Sequence, residues 1–114
     1  MKIKTREVGD VTVVEIDGKI TIGEGDVALR NTIKELLEKG RKKIVIDMKK
    51  VSYMDSSGVG ELASAYTTTK KQGGELKLAN LNTKVHDLLQ LTTLISIFEV
   101  YDSTAEACAS FEEK

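Results

Sequence analysis

The spacing of hydrophobic residues changes period several times along the chain. Ile3 to Val8 alternates in character, Gly9-Asp10 interrupts, and Val11-Thr12-Val13-Val14-Glu15-Ile16-Asp17 follows with dense β-branched residues. That pattern predicts a β-hairpin. After Gly18, a short apolar stretch from Lys19 to Ile22 leads into Gly23-Glu24-Gly25-Asp26, and Leu29, Ile33, Leu36 and Leu37 then recur at helical spacing until Gly40. A first helix is expected from about Asp26, as its N-cap, to Lys39, with Gly40 as the stop. Lys43-Ile44-Val45-Ile46-Asp47-Met48 is short, apolar and β-branched, as a central strand buried on both faces of a parallel sheet should be. Val51 to Ser57 reads as a loop. A second helix begins near Ser56-Ser57 and ends before Gly73-Gly74, with Val59, Leu62, Ala63 and Tyr66 on its inner face. Glu75 to Ala79 alternates as a strand, and Asn80 to Thr83 offers caps for a third helix whose Val85, Leu88, Leu89 and Thr92 face inward. A last strand, Ile95 to Tyr101, and a helix from about Ser103 to Phe111 complete the series.

A hairpin followed by alternating strands and helices implies an α/β fold. Parallel strands need crossovers, so the sheet should be mixed but mostly parallel, with about four or five strands and about four helices. The 114 residues fit one domain, 1–114, with no repeat or linker to mark a second. No apolar stretch approaches the roughly 18 residues of a membrane span, and Met1 to Gly9 lacks a signal-peptide core. A cytoplasmic protein is the expectation. The 17 basic and 18 acidic residues nearly cancel, and with 4% aromatics and no Trp there is little to stack on bases, which disfavours nucleic acid as a direct partner. One cysteine, Cys108, and one histidine, His86, leave neither an intrachain disulfide nor the ligand cluster of a zinc site, so no metal or cofactor is expected.

In open α/β sheets the loops at the carboxyl ends of the strands carry function. Here the segment after the central strand reads Val51-Ser52-Tyr53-Met54-Asp55-Ser56-Ser57-Gly58-Val59-Gly60. Two serines stand where a helix begins, and Gly58 and Gly60 give little cover to the backbone amides. A phosphoryl group on Ser56 would meet those amides and the positive end of the helix dipole. The plainer reading makes Asp55 or Ser56 only an N-cap, and spacing does not choose between the two. Three other patterns compete. Gly23-Glu24-Gly25-Asp26-Val27-Ala28 matches G-x-G-x-x-A and opens a helix, with Asp47 near the place of a ribose-binding acid, but Glu24 and Asp26 would set two carboxylates beside a pyrophosphate. A serine hydrolase would need His86 as base, and neither serine sits in a G-x-S-x-G elbow. Basic residues gather at Lys39, Arg41, Lys42 and Lys43 and again at Lys49 and Lys50, as solvated helix ends or as a patch for an acidic partner. Cys108 and Phe111, three apart on the last helix, read as core.

The stretch Ile44 to Asp47 followed by Val51 to Gly60 closely resembles the signature of anti-sigma factor antagonists, the single-domain members of the STAS superfamily. The shared pattern is an apolar strand ending in Asp, a short linker, then Asp-Ser-Ser/Thr-Gly and a helix. The hairpin, the Glu75 to Ala79 strand and the Val85 to Leu91 helix also fall in the family's order. The resemblance implies that Ser56 is phosphorylated by a partner that is both anti-sigma factor and serine kinase. It makes Asp55 the adjoining acidic position, Ser57 the second hydroxyl, and the Asp55-Ser56-Ser57-Gly58-Val59-Gly60 region the partner-binding surface. It further implies that the domain is not itself an enzyme, that the unmodified form frees the sigma factor, and that a PP2C-type phosphatase resets the switch. The glycine-rich, acidic Ile20 to Asp26 segment departs from relatives whose first helix starts in an alanine-rich or proline-containing stretch. A STAS scaffold in a stress-sensing assembly, or a transporter-associated STAS subunit, would share the same fold and motif.

Overall fold

The computed structural model describes residues Met1–Glu112. Strands β1 (Lys2–Val8) and β2 (Val11–Ile20) form the hairpin, joined by Gly9 and Asp10 and paired antiparallel from Lys2 with Asp17 to Val8 with Val11. Then come α1 (Gly25–Glu38), β3 (Lys43–Met54), α2 (Ser56–Lys71), β4 (Glu75–Ala79), α3 (Thr83–Leu91), a 3₁₀ turn at Leu94–Ile97, β5 (Val100–Tyr101) and α4 (Thr104–Ser110). The five strands lie in sequence order, β1-β2-β3-β4-β5, and every pair after the hairpin is parallel. The mixed, mostly parallel α/β sheet expected above is therefore present, with β3 at its centre.

Strand order dictates where the helices go. Right-handed crossovers between successive neighbours all fall on one side of the sheet, so α1, α2 and α3 share a face. Their Leu29, Ile33, Leu62, Val85 and Leu89 pack on Val14, Ile16, Ile44, Ile46, Met48, Leu76 and Leu78, and Phe98 closes the core edge-on to Tyr66 with ring centroids 5.3 Å apart. Only α4 remains for the other face. It covers one half of that face, where Ala107, Cys108 and Phe111 meet Val11, Val13, Val45 and Ala79. Lys77 is buried there as well. Its Nζ donates to Ser110 Oγ at 2.7 Å, lies 3.5 Å from the Glu99 carboxylate and 4.2 Å from the centre of the Phe111 ring. A cation can be buried in this way because hydrogen bonding and the ring's negative face replace its water.

Several boundaries differ from the sequence reading. The central strand does not end at Met48. Pairing with β2 continues to Met54, through register shifts on either side of Asp17 and Gly18, so Val51 to Met54 is strand and the connection to α2 is Asp55 alone. The last strand shrinks to Val100–Tyr101 because Leu94–Ile97 closes into a 3₁₀ turn after Thr93, which sits at φ 61°. Asp26 is not the N-cap of α1. That position belongs to Glu24, which gives no side-chain cap, and the buried Asp26 carboxylate accepts instead from the Val27 N–H at 2.7 Å. On the helix faces, Val59, Leu62, Val85 and Leu89 are buried as expected, Ala63, Tyr66 and Leu88 are only half-buried, and Thr92 is exposed. Ala65 and Thr69 are buried in their stead. Gly40 does end α1, as expected: its N–H donates to Leu37 O at 3.0 Å and the Arg41 N–H to Leu36 O at 2.9 Å, a Schellman closure.

Candidate functional site

The start of α2 is built around Asp55. Its backbone is extended, at φ −98° and ψ −174°, so its side chain can turn back over the first helical turn. Oδ1 accepts from the Gly58 N–H and Oδ2 from the Ile22 N–H, each at 2.9 Å. These amides, that of Ile22 foremost and that of Gly58 next, hold the Asp55 carboxyl below the usual carboxylate range. The Asp55 N–H donates to Ile20 O at 3.4 Å. One residue thus joins the end of β2, the segment leading into α1 and the first turn of α2.

Gly58 completes the junction by having no side chain. A Cβ there would collide with the carbonyl oxygen of Ile20 and lie 3.1 Å from Ile20 Cγ2, so the first turn of α2 can rest on β2 only with glycine at this position. The other glycine of the motif has a different setting. A Cβ on Gly60 would meet nothing within 4 Å.

The six residues of the motif therefore separate by direction. Asp55 and Ser57 are half-buried, Gly58 and Val59 are buried, and Ser56 and Gly60 are exposed. Val59 belongs to the core rather than to an outward surface. Ser56 occupies the first position of α2 with its hydroxyl open to solvent. The sequence reading set a Ser56 phosphate among the free amides of the first turn. In the structure the Gly58 amide is already taken, and the Ser57 amide also leans toward the Asp55 carboxylate. A phosphate on Ser56 would stand beside a carboxylate and face outward.

The structure adds neighbours that no periodicity marked. Ile22, tied to Asp55, is 73% exposed, and Tyr53, next to last on β3, is 47% exposed. Val27 in the first turn of α1 is exposed too. Arg30 of α1 reaches across to Glu61 of α2, with Nη2 2.8 Å and Nε 2.9 Å from the same carboxylate oxygen, fixing the two helix starts side by side. In sequence, Ile22 reads like any apolar residue near a strand end, and nothing local shows that its amide is bound elsewhere.

The competing patterns resolve separately. Gly25 is a packing glycine like Gly58, since a Cβ there would meet Lys19 O, Ile20 Cα and Met1 Sδ. His86 is exposed on α3, with its Nδ1 3.7 Å from the Asp87 carboxylate, and makes no hydrogen bond to Ser56 or Ser57 among the described residues. Burial pushes the Cys108 thiol up and away from thiolate chemistry, and Cys108 and Phe111 are core. The basic clusters do not form one patch. Arg41 and Lys43 stand near Glu7 and Asp10, at 3.8 and 2.6 Å, while Lys50 lies seven extended residues farther along β3, about 23 Å away. Among the described residues no three His, Cys, Asp or Glu gather as metal ligands, and no helix is long and apolar enough to cross a membrane.

Comparison with known proteins bears on the fold and the family. The model of the STAS domain matches residues 2–107. The anti-sigma-B factor antagonist of Bacillus subtilis is 39% identical over 87 residues, covering 76% of this chain and 78% of that protein. The NMR structure of TM1081, a protein of Thermotoga maritima, superposes with a TM-score of 0.87 at 26% identity, over all of this chain and 91% of that one. The phosphorylated form of the Bacillus cell-fate determinant SpoIIAA shares the fold, with a TM-score of 0.76 at 20% identity over 96% of this chain and 99% of that one. A family model that matches residues 2–107, together with a relative 39% identical over 76% of the chain, places the chain in the STAS-domain family, among the anti-sigma factor antagonists.

Proposed function

We propose that this chain, acting as one domain, binds an anti-sigma factor that is also a serine kinase and thereby releases the sigma factor. The contact surface is centred on Ser56, with Asp55, Ser57, Gly58, Val59 and Gly60 shaping the start of α2 beneath it. Phosphorylation of Ser56 by the bound kinase ends the interaction, and a PP2C-type phosphatase restores it. The domain performs no chemistry of its own: Ser56 is another enzyme's substrate, which is why it needs no base nearby.

The observation that carries this reading is the exposed Ser56 hydroxyl on a helix start where Asp55 already takes the Gly58 amide. A phosphate there adds roughly −1.5 to −2 charges with no internal partner to neutralise it. Buried in a protein contact beside Asp55, that charge costs desolvation and like-charge repulsion. A loss of about 2.7 kcal/mol would weaken binding a hundredfold, within reach of one such group. The relative named for antagonism of anti-sigma-B and the relative known in a phosphorylated form support the same reading.

The test is a pull-down from lysate of the source organism with wild-type and Ser56→Asp baits side by side, followed by mass spectrometry of the partners and of Ser56. The expected result is a histidine-kinase-like ATPase on the wild-type bait only, with Ser56→Ala retaining it constitutively. Equal recovery by Ser56→Ala and Ser56→Asp would overturn the switch.

A further inference from the structure

The two edges of the sheet are unlike. β5 has two residues, whereas β1 has seven, pairs only with β2, and leaves its outer backbone open along its length. Lys2, Lys4 and Arg6 alternate along one side of β1; Lys2 and Lys4 lie toward the half of the sheet face that α4 leaves uncovered, and Arg6 stands at its border, with Nη2 3.4 Å from Thr104 Oγ1 at the start of α4. With Lys49 and Lys50 of β3 they line a concavity of about 330 Å³ whose floor holds Glu15, Asp17 and Asp47. Two of those carboxylates are engaged. Glu15 accepts from Arg6 Nε at 3.0 Å, and Asp47 accepts from the Lys49 N–H and the Asn80 side-chain amide, each at 3.0 Å. Lys2, Lys4, Lys49 and Lys50 have no carboxylate within 4.0 Å among the described residues. Five cations against three carboxylates leave this region positive on a chain whose formal charge is −1.

We propose that β1 is a docking edge for an extended acidic segment of a partner protein, which adds as a sixth strand with alternate carboxylates toward Lys2 and Lys4, while the Lys49-Lys50 pair on β3 adds positive field from farther across the same face. Lysines on an edge strand ordinarily guard against self-pairing. A second copy of this chain laid on β1 would set Lys and Arg against Lys and Arg, and like charges across strands repel. Against Glu or Asp the same side chains attract, and the open backbone supplies the ladder hydrogen bonds. Charge thus selects the occupant that the edge geometry admits. This surface lies on the opposite side of the sheet from α2 and does not depend on the function proposed for Ser56.

The probe is a fluorescently labelled peptide of alternating Glu and Val, about seven residues long to match β1, titrated into the full chain with polarisation and amide hydrogen exchange as readouts. The expected result is saturable binding that protects alternate β1 amides and fades with added salt as screening shortens its range. Lys2→Glu/Lys4→Glu should weaken it about tenfold and Lys49→Glu/Lys50→Glu about threefold, the second pair leaving β1 itself unaltered; Ser56→Asp should leave it unchanged. The proposal is overturned by no binding, by equal binding of an alternating Lys and Val peptide, or by protection that maps to α2. It is equally overturned if pyrophosphate binds the concavity while the peptide does not, or if the unliganded chain dimerises through β1.

Discussion

α1 and α2 start against the same stretch of β2 and are held there in different ways. Each rests a glycine on the strand: a Cβ on Gly25 would come 2.6 Å from Ile20 Cα, and one on Gly58 would collide with Ile20 O. Their caps differ. Glu24 has φ −129° and ψ −80° and gives α1 no side-chain cap, whereas the extended Asp55 caps α2 and also binds the Ile22 amide. Close approach and a backbone bond, Asp26 N–H to Thr21 O at 3.1 Å, position the start of α1 without a side-chain cap. A polar clamp in addition fixes a helix end in orientation, as at α2, and leaves the next residue free to face outward. That residue is Ser56.

The largest expected effect comes from breaking the shared feature. Gly58→Ala should lower the free energy of unfolding by about 3 kcal/mol, because backbone that cannot move aside lies in the way; urea denaturation measures it. Asp55→Ala attacks the difference instead. It should lower the thermal midpoint less than Gly58→Ala, and it should speed amide exchange at both Ile22 and Gly58. Asp55→Asn should spare one of those two amides, since a carboxamide has one acceptor oxygen.

Acid should erase the same difference without mutation. The folded-state Asp55 carboxyl is held below its ordinary value, so its contribution is present in full above the unfolded carboxylate's pKa and is lost as pH falls through the lowered folded value. The stability gap between wild type and Asp55→Asn should therefore be constant near neutral pH and close in the acid range, as read by urea midpoints across pH. Gly60→Ala should go the other way. With open space around its Cβ and a place inside α2, it should stabilise by about 0.5–1 kcal/mol. Smallest of all, Glu24→Asp should change stability by less than about 0.5 kcal/mol, because the backbone there lacks the extended geometry a cap requires.

Much of this was legible from residues in a row. The β-branched runs, the helical repeats of Leu29 to Leu37 and Val85 to Leu89, and the stop at Gly40 follow from local periodicity and turn chemistry, and the fold class follows from their order. The Asp-Ser-Ser-Gly motif was legible as a helix start, with Asp55 among its two candidate caps. Misreadings came where distant partners overrode local preference. Val51 to Met54 is a strand because β2 pairs with it, and the 3₁₀ turn at Leu94–Ile97 replaces residues that are apolar enough to pass for strand. Asp26, a good cap by type, loses that role because Gly25 is pressed onto β2 and the cap position falls two residues earlier, at Glu24.

The sequence by itself determined the order of strands and helices and the residue types of the Asp-Ser-Ser-Gly helix start, since both depend on residues within a few positions of each other. Tertiary structure alone decided which glycine is indispensable, which amides Asp55 holds and which of two adjacent serines faces solvent. Those outcomes turn on Ile20 and Ile22, more than 30 positions away in the chain, and contacts between residues so far apart exist only once the sheet has formed.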